Sequence, residues 1–328
     1  MKWVEKLFFR RPARLYDLVV LWDWEYDDDL VQALLAGAVR RRLSACAFRS
    51  AELTAFVDLC RNPHYSFPYL IDRASDVHPF LLPVLSELQQ AGSQIINDPQ
   101  QMIWCRDKAT MHLELVQRGI PVPYGLILSH QDHLEQALQQ TRDKLGSPFV
   151  AKPAEGGGGE GVILDAQTPE HIRQVMRESR LGKVILQKRI EPAEIHGRRA
   201  WFRVLYVMGE VLPCFWDDRT HLYSLIDDLS APWVAPLTDL VRRIAAMSGM
   251  RFFSSEIAMT AAQEYYVIDF VNEMCDMRLQ SRHTDGVPDA LFHRIIDLLV
   301  CRPPQLQSEI RTSSPVRKGG IFKKGSVL

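Results

Sequence analysis

Lys152-Pro153-Ala154-Glu155-Gly156-Gly157-Gly158-Gly159-Glu160-Gly161 is the stretch on which the reading of this chain turns. The lysine closes one apolar run, Phe149-Val150-Ala151, and the glycines lead into another, Val162-Ile163-Leu164. Glycine has no Cβ, so such a loop lets backbone N–H groups converge on the oxygens of a polyanion. Lys152 adds a point charge at the loop base. A Walker A loop runs from strand into helix and carries its lysine after the glycines. Here the lysine comes first and the loop joins two strands. Read alone, the segment fits a phosphate-binding loop and a plain glycine-rich hairpin equally well.

Composition bounds the problem. The 328 residues suit two or three domains with a sizeable core. A formal charge of -1 gives no global field to attract nucleic acid or a membrane surface. Six scattered cysteines without a C-x-x-C pair argue against structural zinc and for reduced thiols. No apolar run approaches the roughly 18 residues that span a bilayer, and the N-terminus lacks a signal-peptide apolar region. The expectation is a soluble cytoplasmic protein that binds neither nucleic acid nor membrane.

The first hundred residues alternate strand and helix signals. Asp17-Leu18-Val19-Val20-Leu21 reads as a buried strand, and residues 30–42 repeat apolar side chains at helical spacing before three terminal arginines. Strands are expected at residues 44–48, 69–71 and 94–96, with a helix at 79–90 stopped by Gly92. This alternation predicts a small open parallel sheet with covering helices, whose ligands sit at the carboxyl ends of the strands. Residues 23–29, rich in Asp, would lie there. They make a poor phosphate loop. They suit an amine or cationic substrate, or simply the dipole of the helix they open.

A second unit starts near Asp107, an N-cap with Lys108 in the first helical turn and Gly119 as the stop. Ile120-Pro121-Val122-Pro123 must run extended. Next come a strand at 124–128, a helix at 131–145, the glycine hairpin, a helix at 170–180 and a strand at Val184–Lys188. From Trp201 the pattern turns antiparallel: a hairpin about Met208-Gly209-Glu210, a helix at 232–250, strands at Phe252–Met259 and 265–271, and a helix at 288–301. Residues 302–328 are polar, breaker-rich and basic, the pattern of a disordered tail. The class is α/β, becoming α+β in the C-terminal half. Units are expected at 1–103, 104–188 and 189–301, then the tail.

Asp107-Lys108, the extended Gly-Ile-Pro-Val-Pro, Lys152 before a glycine loop and a distal carboxylate–amide cluster stand in an order that resembles the ATP-grasp superfamily. That superfamily includes D-alanine–D-alanine ligase, glutathione synthetase and the glutamate ligases that modify ribosomal protein. The resemblance runs from about residue 17 to about residue 296 and implies an ATP-grasp fold behind an N-terminal open parallel sheet domain. It implies that Lys108 and Lys152 reach the nucleotide phosphates. The loop Gly156 to Gly161 matches the flexible flap over the β- and γ-phosphates, and Glu155, Gly156, Gly157, Gly158 and Gly159 are expected to bind the nucleotide. Gln187, Lys188, Arg189 and Ile190 match the interdomain strand that offers backbone N–H and C=O to adenine. Glu194 matches the carboxylate that accepts from the ribose hydroxyls; a surface residue beside Pro192 is its plainer reading.

The same resemblance gives a metal site. Glu256 lies in Ser254-Ser255-Glu256-Ile257-Ala258, and Asp269 and Asn272 lie in Val267-Ile268-Asp269-Phe270-Val271-Asn272. Two carboxylates on neighbouring strands plus an amide oxygen suit Mg²⁺ bridging phosphates. An acid among Val, Ile and Phe is costly unless paired or metal-bound, which favours a functional Asp269. The family spaces acid and Asn by two residues; here the gap is three, so Asn272 faces the site only if a bulge restores the alignment. Arg203 matches an arginine that steadies the transferred phosphoryl group, and an outward-facing strand residue fits it as well. Arg278 and Ser281 after the metal strand, and Arg73 at the end of an N-terminal strand, are candidates for a substrate carboxylate.

The activity implied by the resemblance is that of an ATP- and Mg²⁺-dependent ligase. ATP would phosphorylate a small-molecule or peptide carboxylate, and an amine or thiol would displace the phosphate, with Lys152 and Arg203 as the catalytic cations. An ATP-grasp kinase acting on a hydroxyl, and a nucleotide-binding module without turnover, are the rival readings. The family includes homodimers, and nothing in these residues demands one.

Overall fold

A computed structural model describes residues 14–129, 134–157, 159–180 and 182–300. Gly158, residues 131–133 of an expected helix and the expected tail at 302–328 lie outside the described residues.

The chain runs through β1 (Arg14–Leu15), β2 (Leu18–Trp22), α1 (Asp28–Arg40), β3 (Ala45–Arg49), α2 (Glu52–Cys60), β4 (Tyr65–Ser66), β5 (Tyr69–Arg73), α3 (Leu82–Gln90) and β6 (Gln94–Ile96). Strands β3-β2-β5-β6 pair in that order, all parallel. β2 is apolar at every position because both its faces are covered. Val19 and Leu21 meet Leu53 and Phe56 of α2 and Val84 and Leu85 of α3, whereas Leu18, Val20 and Trp22 meet Leu30 and Leu34 of α1. Helix α2 is an addition to the elements expected from the sequence.

Two helices lead into the second unit, α4 (Pro99–Cys105) and α5 (Lys108–Gln117). Asp98 caps α4 by accepting from the Gln100 and Gln101 amides at 2.9 and 3.2 Å. Asp107 caps α5 in the expected way, accepting from Ala109 and Thr110 at 3.0 and 3.3 Å. Then come β7 (Gly125–Leu128), α6 (Leu134–Leu145), β8 (Phe149–Pro153), β9 (Ile163–Ala166), α7 (Pro169–Glu178) and β10 (Val184–Lys188). They build an antiparallel sheet in the order β7-β10-β8-β9, with the glycine loop joining β8 to β9. Helices α6 and α7 cover one face through Leu134, Leu145, Ile172 and Val175. By strand alternation Lys152, Ile185 and Gln187 project from the other face.

The remaining elements are β11 (Glu194–Ile195), β12 (Arg198–Arg199), β13 (Trp201–Val207), β14 (Glu210–Trp216), β15 (Tyr223–Ser224), α8 (Val234–Ser248), β16 (Phe252–Met259), β17 (Tyr265–Asn272) and α9 (Asp289–Leu299). Strands β15-β14-β13-β16-β17 form one antiparallel sheet. Met208 and Gly209, with φ of 51° and 99°, make the two-residue turn between Val207 and Glu210. Phe202, Val204, Phe253 and Ile257 pack with Leu237, Val241 and Ile244 of α8.

On the opposite face, Leu205, Val207 and Phe252 share a core with Leu18, Val20 and Ile71 of the first sheet and with Phe292, Ile295 and Ile296 of α9. The Tyr69 hydroxyl donates to the Leu299 carbonyl at 2.9 Å, and Arg41 pairs with Asp297 at 2.9 Å. The three main sheets come in the expected order along the chain, and this core ties the first to the last. Among the described residues no helix is long and apolar enough to cross a membrane.

Candidate active site

The two lysines meet the glycine loop from different elements. Lys108 opens α5, its amide donates to the Ala154 carbonyl at 2.7 Å, and its Nζ donates to the Gly156 carbonyl. Gly156 adopts a φ of 93°, a conformation that side chains rarely take. Lys152 is buried on β8 with its Nζ donating to the Ile268 carbonyl at 3.0 Å and lying 5.0 Å from the centre of the Phe270 ring. Burial lowers the Lys152 ammonium from its ordinary value, Asp269 opposes that, and Lys108 adds to it. Glu155 accepts from the Ser179 hydroxyl at 2.8 Å, so one carboxylate oxygen is held at the loop base.

The facing sheet supplies the acids. Arg203 lies opposite Glu256 across the β13–β16 ladder, and Glu256 lies opposite Asp269 across β16–β17. Burial works to raise the Asp269 carboxyl, but Lys108, Lys152 and Arg203 outweigh it and hold the group below the usual carboxylate range. The charges that act on this carboxylate thus come from three elements, α5, β8 and β13. The Arg203 guanidinium pairs with Glu256 and stacks 4.4 Å from the centre of the Trp216 ring. Tyr223 is also bonded to it.

The three-residue gap between Asp269 and Asn272 coincides with an irregularity in the β16–β17 ladder. Glu256 pairs with Asp269 while Ser254 pairs with Asn272, so two steps along β16 match three along β17 through a register shift. That irregularity sets Asn272 two β16 positions from Asp269, on the same face of the sheet. The expected donor set is two carboxylates and an amide. Among the described residues no group of three or more His, Cys, Asp or Glu side chains is placed to hold an ion. An oxygen-only set of this size fits Mg²⁺, which takes only one or two carboxylates from a protein and the rest from phosphates and water.

The residues expected to meet the nucleoside are spread out. Gln187 is buried on the same face as Lys152, while Lys188 and Arg189 are exposed. The Lys188 amide donates to the Tyr124 carbonyl at 2.8 Å, fixing the end of β10 to the extended segment before β7. Glu194 is exposed and lines a pocket of about 410 Å³ with Ile195, Trp233, Met259 and Gln263, which the phosphate-side residues do not line.

The arginines expected to bind a substrate carboxylate already have acidic partners. Arg73 does not offer an open fork: it is buried, with Nε and Nη2 donating to Asp27 at 2.8 and 2.6 Å and Nη2 also donating to the Cys275 carbonyl at 2.9 Å. Arg278 is held by Asp276 at 2.5 Å and Asp285 at 2.8 Å and stacks on Tyr26. Ser281 is exposed, and its amide donates to Asp289. The acidic segment after β2 explains this arrangement, because Asp27 takes Arg73 and Asp29 takes Arg282 and the Leu279 amide.

Sequence reasoning missed Trp216, Tyr223 and Glu273. Glu273 comes directly after Asn272 and accepts from Arg106 Nε at 3.2 Å; burial raises its carboxyl. Its place beside the acid–Asn pair was the one visible signal.

The second and third sheets, which carry Lys152 and these carboxylates, have the fold of solved ATP-grasp ligases. More particularly, residues 105–217 match the RimK-like ATP-grasp domain. N-acetylaspartylglutamate synthase A of Mus musculus is 25% identical over 165 residues, 49% of this chain and 42% of the synthase. Glutamate–LysW ligase ArgX of Sulfolobus acidocaldarius is 27% identical over 191 residues, 56% of this chain and 66% of the ligase. The chain thus spans less than half the length of the synthase. The structure of the ATP-grasp ligase PsnB complexed with minimal precursor, Mg and ADP superposes with a TM-score of 0.62 at 16% identity, covering 88% of this chain and 99% of that one. At that identity the likeness is one of fold.

Proposed function

We propose that this protein is an ATP- and Mg²⁺-dependent ligase that joins a carboxylate to an amine or thiol through an acyl phosphate. The observation that carries the reading is the meeting of the glycine loop, which Lys108 holds at Gly156, with β17, where Lys152 bonds to Ile268 next to Asp269 and Glu256 stands between Arg203 and Asp269. Fixed positive charge placed where phosphoryl charge develops is the main contribution a protein makes to this chemistry.

Lys108 and Lys152 hold the phosphates from the two sides of the loop base, and the loop excludes water from above. Arg203, anchored by Glu256 and Trp216, meets the phosphoryl group as it leaves ADP for a carboxylate oxygen of the substrate. The nucleophile then bonds to the acyl carbon, phosphate departs with the oxygen it received, and the nucleophile's proton goes to solvent. Glu256, Asp269 and Asn272 would hold Mg²⁺, which supplies charge neutralisation at the β- and γ-phosphates. No side-chain nucleophile is needed.

The kinase reading is weaker because a polyanionic acceptor needs unpaired cations, and Arg73, Arg278 and Arg282 are each occupied by an acid. Partners are small-molecule or peptide carboxylates and amines, as the names of the relatives indicate for those proteins.

The test is phosphate release from ATP and Mg²⁺ across pools of amino acids, di-acids, amines and peptides, with Asp269→Asn as control. Release that requires two co-substrates together supports the ligase. Release with a single hydroxyl compound, coupled to its phosphorylation, would replace it with a kinase.

A further inference from the structure

The ion pair with Glu256 does not by itself fix the aim of Arg203, because Glu256 is also one of the two carboxylates proposed for Mg²⁺. The guanidinium has a second set of contacts. Its Cζ lies 4.4 Å from the centre of the Trp216 ring, and Tyr223 bonds to it. Trp216 ends β14, Tyr223 begins β15, and the two lie opposite each other in that ladder. Arg203 pairs with Cys214, two residues before Trp216, so strand alternation sets guanidinium and indole on one face of the sheet.

The indole is held in its turn. The His221 ring stacks on Trp216 with 5.0 Å between centres and 8° between planes. His221 adopts a φ of 62°, a conformation that a side chain takes only at a cost. The turn between β14 and β15 keeps it there. Asp217 accepts from the Arg219 and Thr220 amides at 2.9 and 2.8 Å, and the His221 amide donates to the Asp217 carbonyl at 2.8 Å. Asp218 accepts from both Nε and Nη2 of Arg199, at 2.6 and 2.9 Å, which ties the turn to β12. Glycine at 221 would suit this backbone better; what it could not supply is the ring.

We propose that His221 is a positioning residue: it holds Trp216 in place, and Trp216 aims the Arg203 guanidinium at the terminal phosphate of the nucleotide. The inference rests on the ATP-dependent reading above and adds to it a residue that acts through Trp216 alone. Stacking uses the face of a guanidinium and leaves its N–H edge free. Arg203 can therefore exchange Glu256 for a phosphate oxygen without leaving the indole. An indole free to tilt would let the guanidinium follow Glu256 instead.

The experiment is calorimetric titration of the full chain with ADP and with AMPPNP, each with Mg²⁺, since of the two only AMPPNP carries a γ-phosphate. Wild type, His221→Gly, His221→Phe, Arg203→Met and the Arg203→Met/His221→Gly double variant are compared, with thermal melts as the control for folding. Arg203→Met should weaken AMPPNP about tenfold relative to ADP, the scale of one charge-assisted contact. His221→Gly, which removes the ring at a φ that suits glycine, should weaken AMPPNP about threefold relative to ADP. His221→Phe, which keeps a flat ring, should recover part of that loss. The double variant should lose no more than Arg203→Met alone, because the histidine acts only through the arginine. A ratio unchanged in a folded His221→Gly, with Arg203→Met shifted, overturns the inference and leaves the ligase reading standing. A further loss in the double variant also overturns it, because the histidine would then act apart from the arginine. A ratio unchanged in Arg203→Met overturns the role given to that arginine and this inference with it. Wild type that binds neither nucleotide overturns the ligase reading itself and this inference too.

Discussion

Arg203 and Glu256 occupy paired positions on β13 and β16 and form an ion pair in which each side chain is only 14% exposed. Removing the arginine strips the site of a cation and leaves the acid uncompensated. Arg203→Ala should lower kcat for phosphate release by about 10²- to 10³-fold, the usual scale for a lost transition-state donor. Steady-state kinetics would show it, and a change confined to KM would relocate Arg203 to substrate binding.

Lys152 donates to the carbonyl of Ile268, the residue that precedes Asp269 on β17. Lys152→Ala and Asp269→Asn should each abolish ATP turnover with circular dichroism unchanged. Full activity in either variant would remove the phosphate site from these residues.

Asp27 and Arg73 make the most buried ion pair of the described chain, 0% and 2% exposed. Taking away one partner strands a buried charge. Asp27→Ala should therefore cost about 3–5 kcal/mol in urea denaturation. A loss below about 1 kcal/mol would mean that water reaches Arg73, and with it the possibility of a substrate carboxylate there.

The His112 imidazole has an acid-side signature. Burial first, then the charge of Lys152, lowers it from 6.5 to about 4. An unfolded chain takes up that proton as pH falls past 6.5, and the folded chain only near 4. No cost exists above 6.5; it grows through the interval and is complete below 4, on the order of 3 kcal/mol. Wild type should therefore lose stability over this interval more steeply than His112→Leu. Parallel urea-midpoint profiles would show that the ring is not held neutral.

How much of this was legible depended on whether the physics is local. Leu18–Trp22 announced its burial on both faces, Asp107 its cap, and Lys152 its loop, because each signal lies within a few residues. The three-residue gap from Asp269 to Asn272 posed a question that only pairing with β16 answers. The partners of Arg73 and Arg278 were hidden for the opposite reason. Asp27 is 46 residues from Arg73 in sequence, and nothing local distinguishes an arginine already satisfied from one awaiting a substrate. Helix α2 escaped notice because Glu52–Cys60 is short and has no side-chain cap hydrogen bond. His112 reads as an ordinary helix residue until Gly125, 13 positions later, is seen folded against it.

Helix α9 seals the face of a sheet whose strands were made some two hundred residues earlier in the chain. The order of synthesis is therefore not the order of completion. On the ribosome, Leu18, Val20 and Ile71 emerge long before Phe292 and Ile295, and until those arrive one side of the first sheet stays open to water and to other chains. The chain should for this reason be most vulnerable to aggregation and to chaperone capture while it is still being made. A truncation just before Asp289 would hold it permanently in that condition.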